Sequence, residues 1–216
     1  MNITCLPGGL LGTNTYVVPA AGNRCFIVDP SVSASSISKY IRDEGMEPSF
    51  IVLTHGHYDH MESLVSLKVL YPQVKIFIHE KDSWALGSNA LLRHEKSFRE
   101  SGLGGLYTDF DAAKSHDSFP CADAYLSEGD VPEKDWTVLH TPGHSQGSIC
   151  LYNEAQRLLI SGDTLFYMGW GRTDLSGGNE EEIMQSLKRL SLLPSDVKVY
   201  PGHGRCGFTM AQNPIM

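Results

Sequence analysis

The sequence predicts an α/β protein in which helices lie outside a mixed β-sheet. Short runs rich in β-branched and aromatic residues recur along the chain, as is typical of buried strands. Helical patterns separate some of these runs, whereas the turn Asn153-Glu154-Ala155 joins two of them as an antiparallel hairpin. The predicted strands are Thr15–Val18, Cys25–Val28, Phe50–Thr54, Val74–His79, Thr137–His140, Ser148–Tyr152, Arg157–Ser161 and Val197–Tyr200.

Three segments have the periodicity of amphipathic helices. The first is Ser36–Glu44, which ends at the helix-stopping Gly45. The second is Asp59–Leu70, whose apolar residues recur at helical spacing. The third is Glu180–Leu190, with Asn179 as its N-cap, glutamates in its first turn and basic residues near its end. This order of charges complements the helix dipole.

The length and hydrophobic content predict a single domain that spans residues 1–216. A chain of 216 residues with 41% hydrophobic content is long enough to bury one substantial core. The region at about 84–120 reads as an insertion, because it is polar and contains Gly102, Gly104 and Gly105. Long connections near a site often form lids or substrate walls, and an exposed helical insertion is the alternative.

The composition disfavours several classes of partner. A formal net charge of −8, without a cluster of Lys and Arg, argues against a nucleic-acid partner. No stretch reaches the length of a membrane span, and Met1–Leu11 lacks the basic residues of a secretory signal. We therefore expect a cytoplasmic protein without a membrane partner. Its five cysteines form no C-x-x-C pair, which favours buried thiols over disulfides or a zinc knuckle.

Four metal-capable side chains occur within the six-residue run His55-Gly56-His57-Tyr58-Asp59-His60. Imidazole nitrogens and carboxylates are ligands that Zn²⁺ prefers. Because the run follows an apolar strand, we expect His55 and His57 to project to the same side from the strand end. Asp59 and His60 then approach the same place from the next helix. The run therefore predicts a metal site with room for two ions.

Three further residues with suitable chemistry follow predicted strands. The segments Thr141-Pro142-Gly143-His144 and Tyr200-Pro201-Gly202-His203 each use Pro and Gly to turn the chain, which leaves a histidine at the sheet edge. Asp163 follows a third strand in the same way. A lone histidine is usually structural, but together these residues complete two sets. We expect one ion to be held by His55, His57 and His144, a second by Asp59, His60 and His203, and Asp163 to bridge them.

These motifs together resemble a known family over nearly the whole chain. H-x-H-x-D-H, the later His144, Asp163 in a G-D-T-L-F run and the final P-G-H-G are similar to the signature of the metallo-β-lactamase fold superfamily. The resemblance implies an αββα four-layer sandwich with the metal centre at one edge of its sheets, and it implies the same ligand set. Asp163 and His60 resemble the glyoxalase II branch, since antibiotic-degrading members lack the bridging aspartate.

The resemblance also assigns roles outside the ligand set. Arg172, in a G-x-G-R-T-D segment, lies where a basic residue of glyoxalase II meets the glutathione carboxylate, so it is the candidate substrate contact. The alternative is an internal salt bridge with Asp174. Asp29 matches a position that supports the metal centre from outside the ligand set, and its alternative is a turn residue before Pro30. The G-x-G-R-T-D segment also resembles persulfide dioxygenases, which hold a single iron.

The function expected from these features is metal-dependent hydrolysis of a small thioester or ester. Two divalent ions, with zinc as the first choice and iron or manganese as alternatives, would share a bridging hydroxide that attacks the carbonyl. Asp59 and Asp163 are the expected catalytic carboxylates. Glyoxalase II continues into a C-terminal helical domain that grips glutathione, and this sequence ends shortly after His203, so the thiol and the acyl group are not specified. Two alternatives remain, a mononuclear iron persulfide dioxygenase and a non-catalytic metal-binding domain. The sequence does not indicate an oligomeric state.

Overall fold

Hydrophobic residues occupy both faces of the central strands, because helices cover one face and a second sheet covers the other. In the strand Arg24–Val28, Cys25 and Ile27 pack with helical residues, whereas Phe26 and Val28 pack with residues of the second sheet. This alternation follows from the two-residue period of a strand. The structure is a computed structural model that describes residues 2–103 and 119–215, so 104–118 of the predicted insertion lie outside the described residues.

The first sheet has six strands arranged in chain order. Its first three strands are antiparallel, and the remaining pairings are parallel, with helical segments as crossovers. The strands are β1 (Thr4–Gly8), β2 (Thr13–Pro19), β3 (Arg24–Val28), β4 (Glu47–Val52), β5 (Lys75–Ile78) and β6 (Ala124–Tyr125).

The second sheet has five strands in the order β11-β10-β9-β8-β7. Only the pairing of β9 with β10 is parallel, and the predicted hairpin between β8 and β9 is confirmed. The strands are β7 (Trp136–His140), β8 (Ile149–Asn153), β9 (Leu158–Gly162), β10 (Lys198–Pro201) and β11 (Phe208–Thr209).

Aromatic side chains fill the layer between the two sheets. The ring of Phe26 stacks on Phe50 at 5.0 Å between centroids, and the edge of Trp136 meets Phe26 at 5.8 Å. All three side chains are buried in a cluster that includes Val138, Leu151 and Ile160 of the second sheet. Burying each large apolar side chain contributes roughly 1.5–3 kcal/mol, so this layer holds the sheets face to face.

Helices cover the outer face of each sheet. On the first sheet lie α1 (Ala34–Asp43), α2 (Leu64–Leu70) and α3 (Ala90–Glu100), and on the second lies α4 (Glu180–Leu190). The predicted αββα four-layer arrangement with two mixed sheets is therefore confirmed. Within residues 2–103 and 119–215, none of the helices combines the length and apolar character that crossing a bilayer requires.

The helix predicted at Glu180–Leu190 has the observed bounds of α4. The side-chain oxygen of Asn179 accepts hydrogen bonds from the backbone N–H groups of Glu181 and Glu182 at 2.9 and 3.1 Å, as an N-cap residue does. The prediction succeeded here because the cap, the charge order and the apolar face all indicate the same element.

The helix predicted at Asp59–Leu70 is wrong in its first half. Tyr58–His60 forms a 3₁₀ helix, and α2 begins only at Leu64. The strand predicted at Phe50–Thr54 also ends early, at Val52, because the backbone N–H of Thr54 donates to the Asp29 side chain instead of to a ladder. Asp59 and His60 are held instead by tertiary contacts, Asp59 with the hydroxyl of Thr13 and His60 with the carboxylate of Asp29.

Three strands were not predicted: β1, β6 and β11. β6 and β11 have two residues each, which is too short for a periodic pattern. β1 contains Pro7 and ends at Gly8, residues that are depleted in strands. All three are edge strands. An edge strand does not need apolar residues on both of its faces, so its sequence pattern is weaker.

The two sheets are joined by backbone hydrogen bonds at the edge that carries the predicted ligands. The N–H of Ile149 donates to the carbonyl of Thr54 at 2.9 Å, and the N–H of Asn14 donates to the carbonyl of Gly202 at 2.7 Å. The loops that follow β4, β7, β9 and β10 therefore meet at one place. This convergence positions the site.

Candidate metal centre

Three imidazole nitrogens converge where the loop after β4 meets the loop after β7. His55 Nε2 lies 3.1 Å from His57 Nδ1, which lies 2.8 Å from His144 Nε2. All three rings are buried. They form the first of the two predicted ligand sets, and they meet closely enough to hold one ion.

The second predicted set lies beside the first. His203 Nε2 is 3.2 Å from Asp59 Oδ2 and 3.3 Å from His60 Nε2, and these last two atoms are 3.4 Å apart. Asp59 is held in place by the hydroxyl of Thr13, which donates to its Oδ2 at 2.9 Å. These three groups form a second potential ion site.

The carboxylate of Asp163 lies between the two sets. Its Oδ2 is 3.5 Å from His144 Nε2, and its Oδ1 is 3.3 Å from His60 Nε2. A side chain on Gly202 would occupy this space, since a Cβ there would lie 2.1 Å from Asp163 Oδ1. The structure thus brings all seven predicted ligand residues together and places Asp163 as a bridge would require. Their role as metal ligands remains a prediction.

Hydrogen bonds on the outer side of the rings fix the direction of their lone pairs. His60 Nδ1–H donates to Asp29 Oδ2 at 2.8 Å, and His144 Nδ1–H donates to the carbonyl of Arg172 at 2.7 Å. Since these partners only accept, each Nδ1 carries a hydrogen, and the Nε2 atoms of both rings are the nitrogens that face the cluster. His55 Nδ1 likewise lies 3.1 Å from the hydroxyl of Thr54, which itself donates to Asp29.

These contacts fit divalent cations better than they fit hydrogen bonding. The lone pairs of His55 and His144 both face His57 Nδ1, and a single hydrogen there could serve only one of them. Asp163 Oδ1 is buried without a hydrogen-bond partner in the described part of the chain. A buried acceptor of this kind is costly unless a cation satisfies it. The imidazole and carboxylate set suits Zn²⁺, Fe²⁺ and Mn²⁺.

The electrostatics of the two sets differ. Burial lowers the pKa of His57 to about 3, with a further contribution from His144, and burial also lowers the pKa of His55. These rings are neutral at physiological pH, as metal ligands must be. Burial alone would lower the pKa of His60, but Asp163 and Asp59 overcome it and raise that pKa. The second set therefore concentrates negative charge that a cation would balance.

Asp29 occupies the supporting position that the sequence resemblance implied. Besides His60, its carboxylate accepts from the backbone N–H of Thr54 at 2.8 Å and from the Thr54 hydroxyl at 2.7 Å. Its backbone adopts a φ of 50°, in the left-handed region that few non-glycine residues enter. Asp29 thus connects the end of β3 with both sides of the ligand loop after β4.

Asp82 is a supporting residue that the sequence analysis missed. It is buried in the 3₁₀ helix Glu80–Ala85 and accepts from the N–H of Gly56 at 2.8 Å, the hydroxyl of Ser145 at 2.6 Å and the N–H of Gly147 at 2.9 Å. It therefore joins the loop of His55 and His57 to the loop of His144. The sequence carries only a weak signal for this role. Asp82 is an acidic residue soon after a predicted strand, and in this respect it resembles Asp29.

A family model described as "Metallo-beta-lactamase superfamily" matches residues 8–203. The chain belongs to this superfamily. It is 34% identical over 200 residues to "Probable metallo-hydrolase YqgX" of Bacillus subtilis (strain 168), covering 92% of this chain and 88% of that protein. It is 32% identical over 182 residues to a hydroxyacylglutathione hydrolase of Tolumonas auensis, and that match covers 84% of this chain and 58% of the enzyme.

Solved structures of the superfamily share the whole fold. The crystal structure of BLEG-1 B3 metallo-beta-lactamase has a TM-score of 0.82 and 29% identity, with 99% of each chain covered. The structure of TTHA1623 in a di-iron-bound form has a TM-score of 0.78 and 28% identity, and the match covers 99% of this chain and 100% of that one. ETHE1 from Myxococcus xanthus, at 24% identity and a TM-score of 0.70, shares the fold.

The metal centre of this superfamily member opens into a pocket of about 210 Å³. His57, Asp59, His144 and Asp163 form one side of the pocket. Apolar side chains form much of the remaining wall: Leu11, Phe98, Leu103, Phe166 and Leu175. A small apolar group can pack against this wall beside the candidate ligand residues.

Helix α3 of the predicted insertion contributes the buried His94 to the same pocket. Its Nε2–H donates to the carbonyl of Ala85 at 2.9 Å. Its Nδ1 has no hydrogen-bond partner in residues 2–103 and 119–215. Burial lowers the pKa of His94 to about 4, so the ring is neutral and Nδ1 is an acceptor. Helix α3 therefore lines the pocket, and its role as a substrate wall remains a prediction.

Arg172 lies on the pocket wall, but its guanidinium already has partners. Nε and Nη2 donate to the two carboxylate oxygens of Asp174 at 2.6 and 2.7 Å, and Nη1 donates to the carbonyl of Ser101 at 3.1 Å. The internal salt bridge, weighed as an alternative in the sequence, is thus present. A substrate contact by Arg172 remains a prediction that requires these bonds to rearrange.

Replacement of the bridging carboxylate should separate the two ion sites. We expect Asp163→Ala to lower the metal content from two ions per chain to about one, because both sets lose a shared ligand. Turnover should fall by at least the roughly 10–100-fold loss that changes outside the ligand set cause. Metal content by mass spectrometry checks this, with Asp43→Asn on the exposed face of α1 as control. Two tightly bound ions and near-normal turnover in Asp163→Ala would contradict the bridge.

Removal of one carboxylate oxygen from Asp82 should weaken metal binding without touching a ligand. In Asp82→Asn, an amide N–H₂ would face N–H donors, so the two ligand loops lose their common anchor. We expect zinc affinity to fall roughly 10–100-fold and stability to fall by about 1–3 kcal/mol. Competition with a chromogenic chelator measures the affinity. A variant that unfolds more easily but binds zinc as tightly as the parent would show that Asp82 has no positioning role.

Proposed function

We propose that the protein is a dinuclear metal-dependent hydrolase that cleaves a small thioester. The observation that carries this proposal is the position of Asp163, whose two oxygens lie within 3.3 to 3.5 Å of a histidine from each ligand set. The pocket above it adds a small, mostly apolar space for an acyl group. A nucleophilic side chain is not required by this chemistry.

The proposed reaction forms one C–O bond and breaks one C–S bond. The seven residues would hold the divalent ions, which when bound would supply Lewis acidity toward the carbonyl oxygen and hydroxide near neutral pH. Asp59, which the Thr13 hydroxyl holds at the pocket floor, accepts a hydrogen bond from the attacking water and orients it. The water's oxygen ends in the carboxylate product, the sulfur leaves as a thiolate that needs no dedicated acid, and the two protons of the water pass to solvent or to that thiolate.

Relatives support hydrolysis more directly than they support a particular substrate. The Bacillus subtilis relative is named a probable metallo-hydrolase, and the Tolumonas auensis relative is named a hydroxyacylglutathione hydrolase. TTHA1623 was solved in a di-iron-bound form, so a centre with two irons is known in a protein 28% identical to this one. Zinc is our first choice for the metal, and iron is the principal alternative.

The free acceptor on His94 favours an acyl group that carries a hydrogen-bond donor. A buried nitrogen without a partner costs about 1–3 kcal/mol, and a hydroxyl in the pocket would remove that cost when the substrate binds. His94 is among the residues that line the pocket, and its other ring nitrogen is bonded to the carbonyl of Ala85. We therefore propose a 2-hydroxyacyl thioester as the preferred substrate type.

A substrate panel run with metal analysis on the same sample tests the proposed function. The panel contains a thioester, an oxygen ester, a lactone, a cephalosporin and glutathione persulfide. We expect two divalent ions per chain and the highest kcat/KM with the thioester. One iron per chain with oxygen consumption on the persulfide would favour a dioxygenase. Preference for the cephalosporin would favour the β-lactamase activity for which BLEG-1 is named. Absence of turnover on every substrate at full metal loading would favour a non-catalytic metal-binding domain.

Substitution of His94 by an apolar ring should change substrate preference. His94→Phe removes the acceptor while keeping a buried ring, so we expect kcat/KM for a lactoyl thioester to fall about three- to tenfold. The propionyl thioester of the same thiol, which lacks the hydroxyl, should be little affected. The control Phe98→Leu, which alters the apolar wall, should affect both substrates alike. Equal losses for both substrates in His94→Phe would contradict this role.

A further inference from the structure

A second groove, of about 430 Å³, lies beside the metal pocket and has no part in the chemistry described above. Helix α3 forms one wall, and the 3₁₀ helix Glu80–Ala85 and the loop after His144 form others. Its side chains are largely polar or charged: Lys81, Asp82, Trp84, Arg93, Lys96, Ser97, Glu100, Ser145, Gln146 and Ser176.

The available charge in this groove is positive. Lys81, Arg93 and Lys96 are exposed cations on its walls. Of the two acids present, Asp82 is buried and accepts three hydrogen bonds from the ligand loops, and Glu100 pairs with Lys96 at 3.6 Å. Lys81 and Arg93 have no ion pair within the part of the chain that the structure describes. In a protein with a net charge of −8, such a cluster attracts anions locally.

Helix α3 connects the groove to the metal pocket. Arg93, Lys96, Ser97 and Glu100 line the groove, whereas His94, Ser97, Phe98 and Ser101 line the metal pocket. Each set follows the i, i+3, i+4, i+7 spacing of one helix face, and Ser97 belongs to both. The groove and the metal pocket therefore adjoin each other at Ser97. The eleven residues of α3 extend for about 16 Å, which is comparable to the length of a thiol carrier.

We propose that this groove binds the anionic part of the thiol carrier, while the acyl group occupies the metal pocket. This inference rests on the proposed thioester hydrolysis and names the substrate class: acyl thioesters whose thiol bears a carboxylate or a phosphate. The guanidinium of Arg93 can bind either oxyanion with paired hydrogen bonds, and the two lysines add flexible point charges. Cleavage leaves the carrier with a free thiol and releases the acid from the metal pocket.

Three thioesters with one acyl group test the groove. The neutral carrier is N-acetylcysteamine, the carboxylate carrier is glutathione and the phosphate carrier is coenzyme A. In the variant Lys81→Gln, Arg93→Gln, Lys96→Gln, we expect kcat/KM to fall about tenfold or more for an anionic thioester, through KM. The neutral thioester should retain its parental kcat/KM. Comparison of the two anionic carriers identifies whether carboxylate or phosphate is recognised.

A matched variant separates local binding from the general field of the protein. Lys39→Gln, Lys188→Gln, Lys198→Gln makes the same change in net charge at exposed positions outside the groove. It should leave all three kcat/KM values near those of the parent. A calorimetric titration with S-methylglutathione and with adenosine 3′,5′-bisphosphate gives a binding readout without turnover, and affinity for one of them should fall only in the groove variant.

The outcomes distinguish this inference from the proposed function. Turnover of the neutral thioester by the parent protein supports hydrolysis whatever the groove does. Equal kcat/KM for neutral and anionic thioesters would overturn the proposed role of the groove in binding the carrier. Equal losses in the groove variant and its matched control would overturn it as well. Absence of turnover with all three thioesters at full metal loading would overturn the proposed function, and the groove's role as a carrier site with it.

Discussion

Five imidazoles and two carboxylates meet at one place in this protein, where six of the seven side chains are buried and His203 is partly exposed. Such an arrangement is unfavourable in itself, because hydrogens available at the ring nitrogens are too few to satisfy the acceptors that meet there. The surrounding structure imposes it. Asp29 and the carbonyl of Arg172 each accept the outer N–H of a ring and so turn its other nitrogen toward the cluster. The cluster is thus suited to bind cations, and the proposed chemistry in the adjoining pocket depends on that binding.

The fold creates this cluster by ending several strands at one edge. Each ligand loop follows a strand whose two faces are buried, so the position of each loop is fixed by packing on both sides. Asp29 and Asp82 then join loops that are distant in sequence. Helix α3 stands over the result and presents an apolar face with His94 to the pocket and a cationic face to the groove. Under the proposed function, the ligand edge would carry the reaction and the helix would discriminate among substrates.

The sequence allowed prediction of those features whose signals are local. Glu180–Leu190 was predicted with its cap, and the histidines after Pro-Gly turns lie at strand ends as expected. The helix start at Asp59 was wrong because tertiary contacts override periodicity where adjacent residues must face one site. Asp82 and the free acceptor of His94 could not be predicted, since their partners lie in other loops or are absent from the described part of the chain. The paired state of Arg172 was foreseen as one of two alternatives, and only its surroundings could decide between them.

The central claim is that the two ligand sets hold two ions with Asp163 between them. Crystallographic anomalous scattering, recorded above and below the absorption edges of zinc and iron, tests it most directly on protein loaded with a known metal. We predict two peaks, one within bonding distance of His55, His57 and His144 and the other within bonding distance of Asp59, His60 and His203. We also expect an Asp163 oxygen bonded to each ion. A single peak at saturating metal, or two peaks with the Asp163 carboxylate turned away from both, would contradict a dinuclear centre bridged by Asp163.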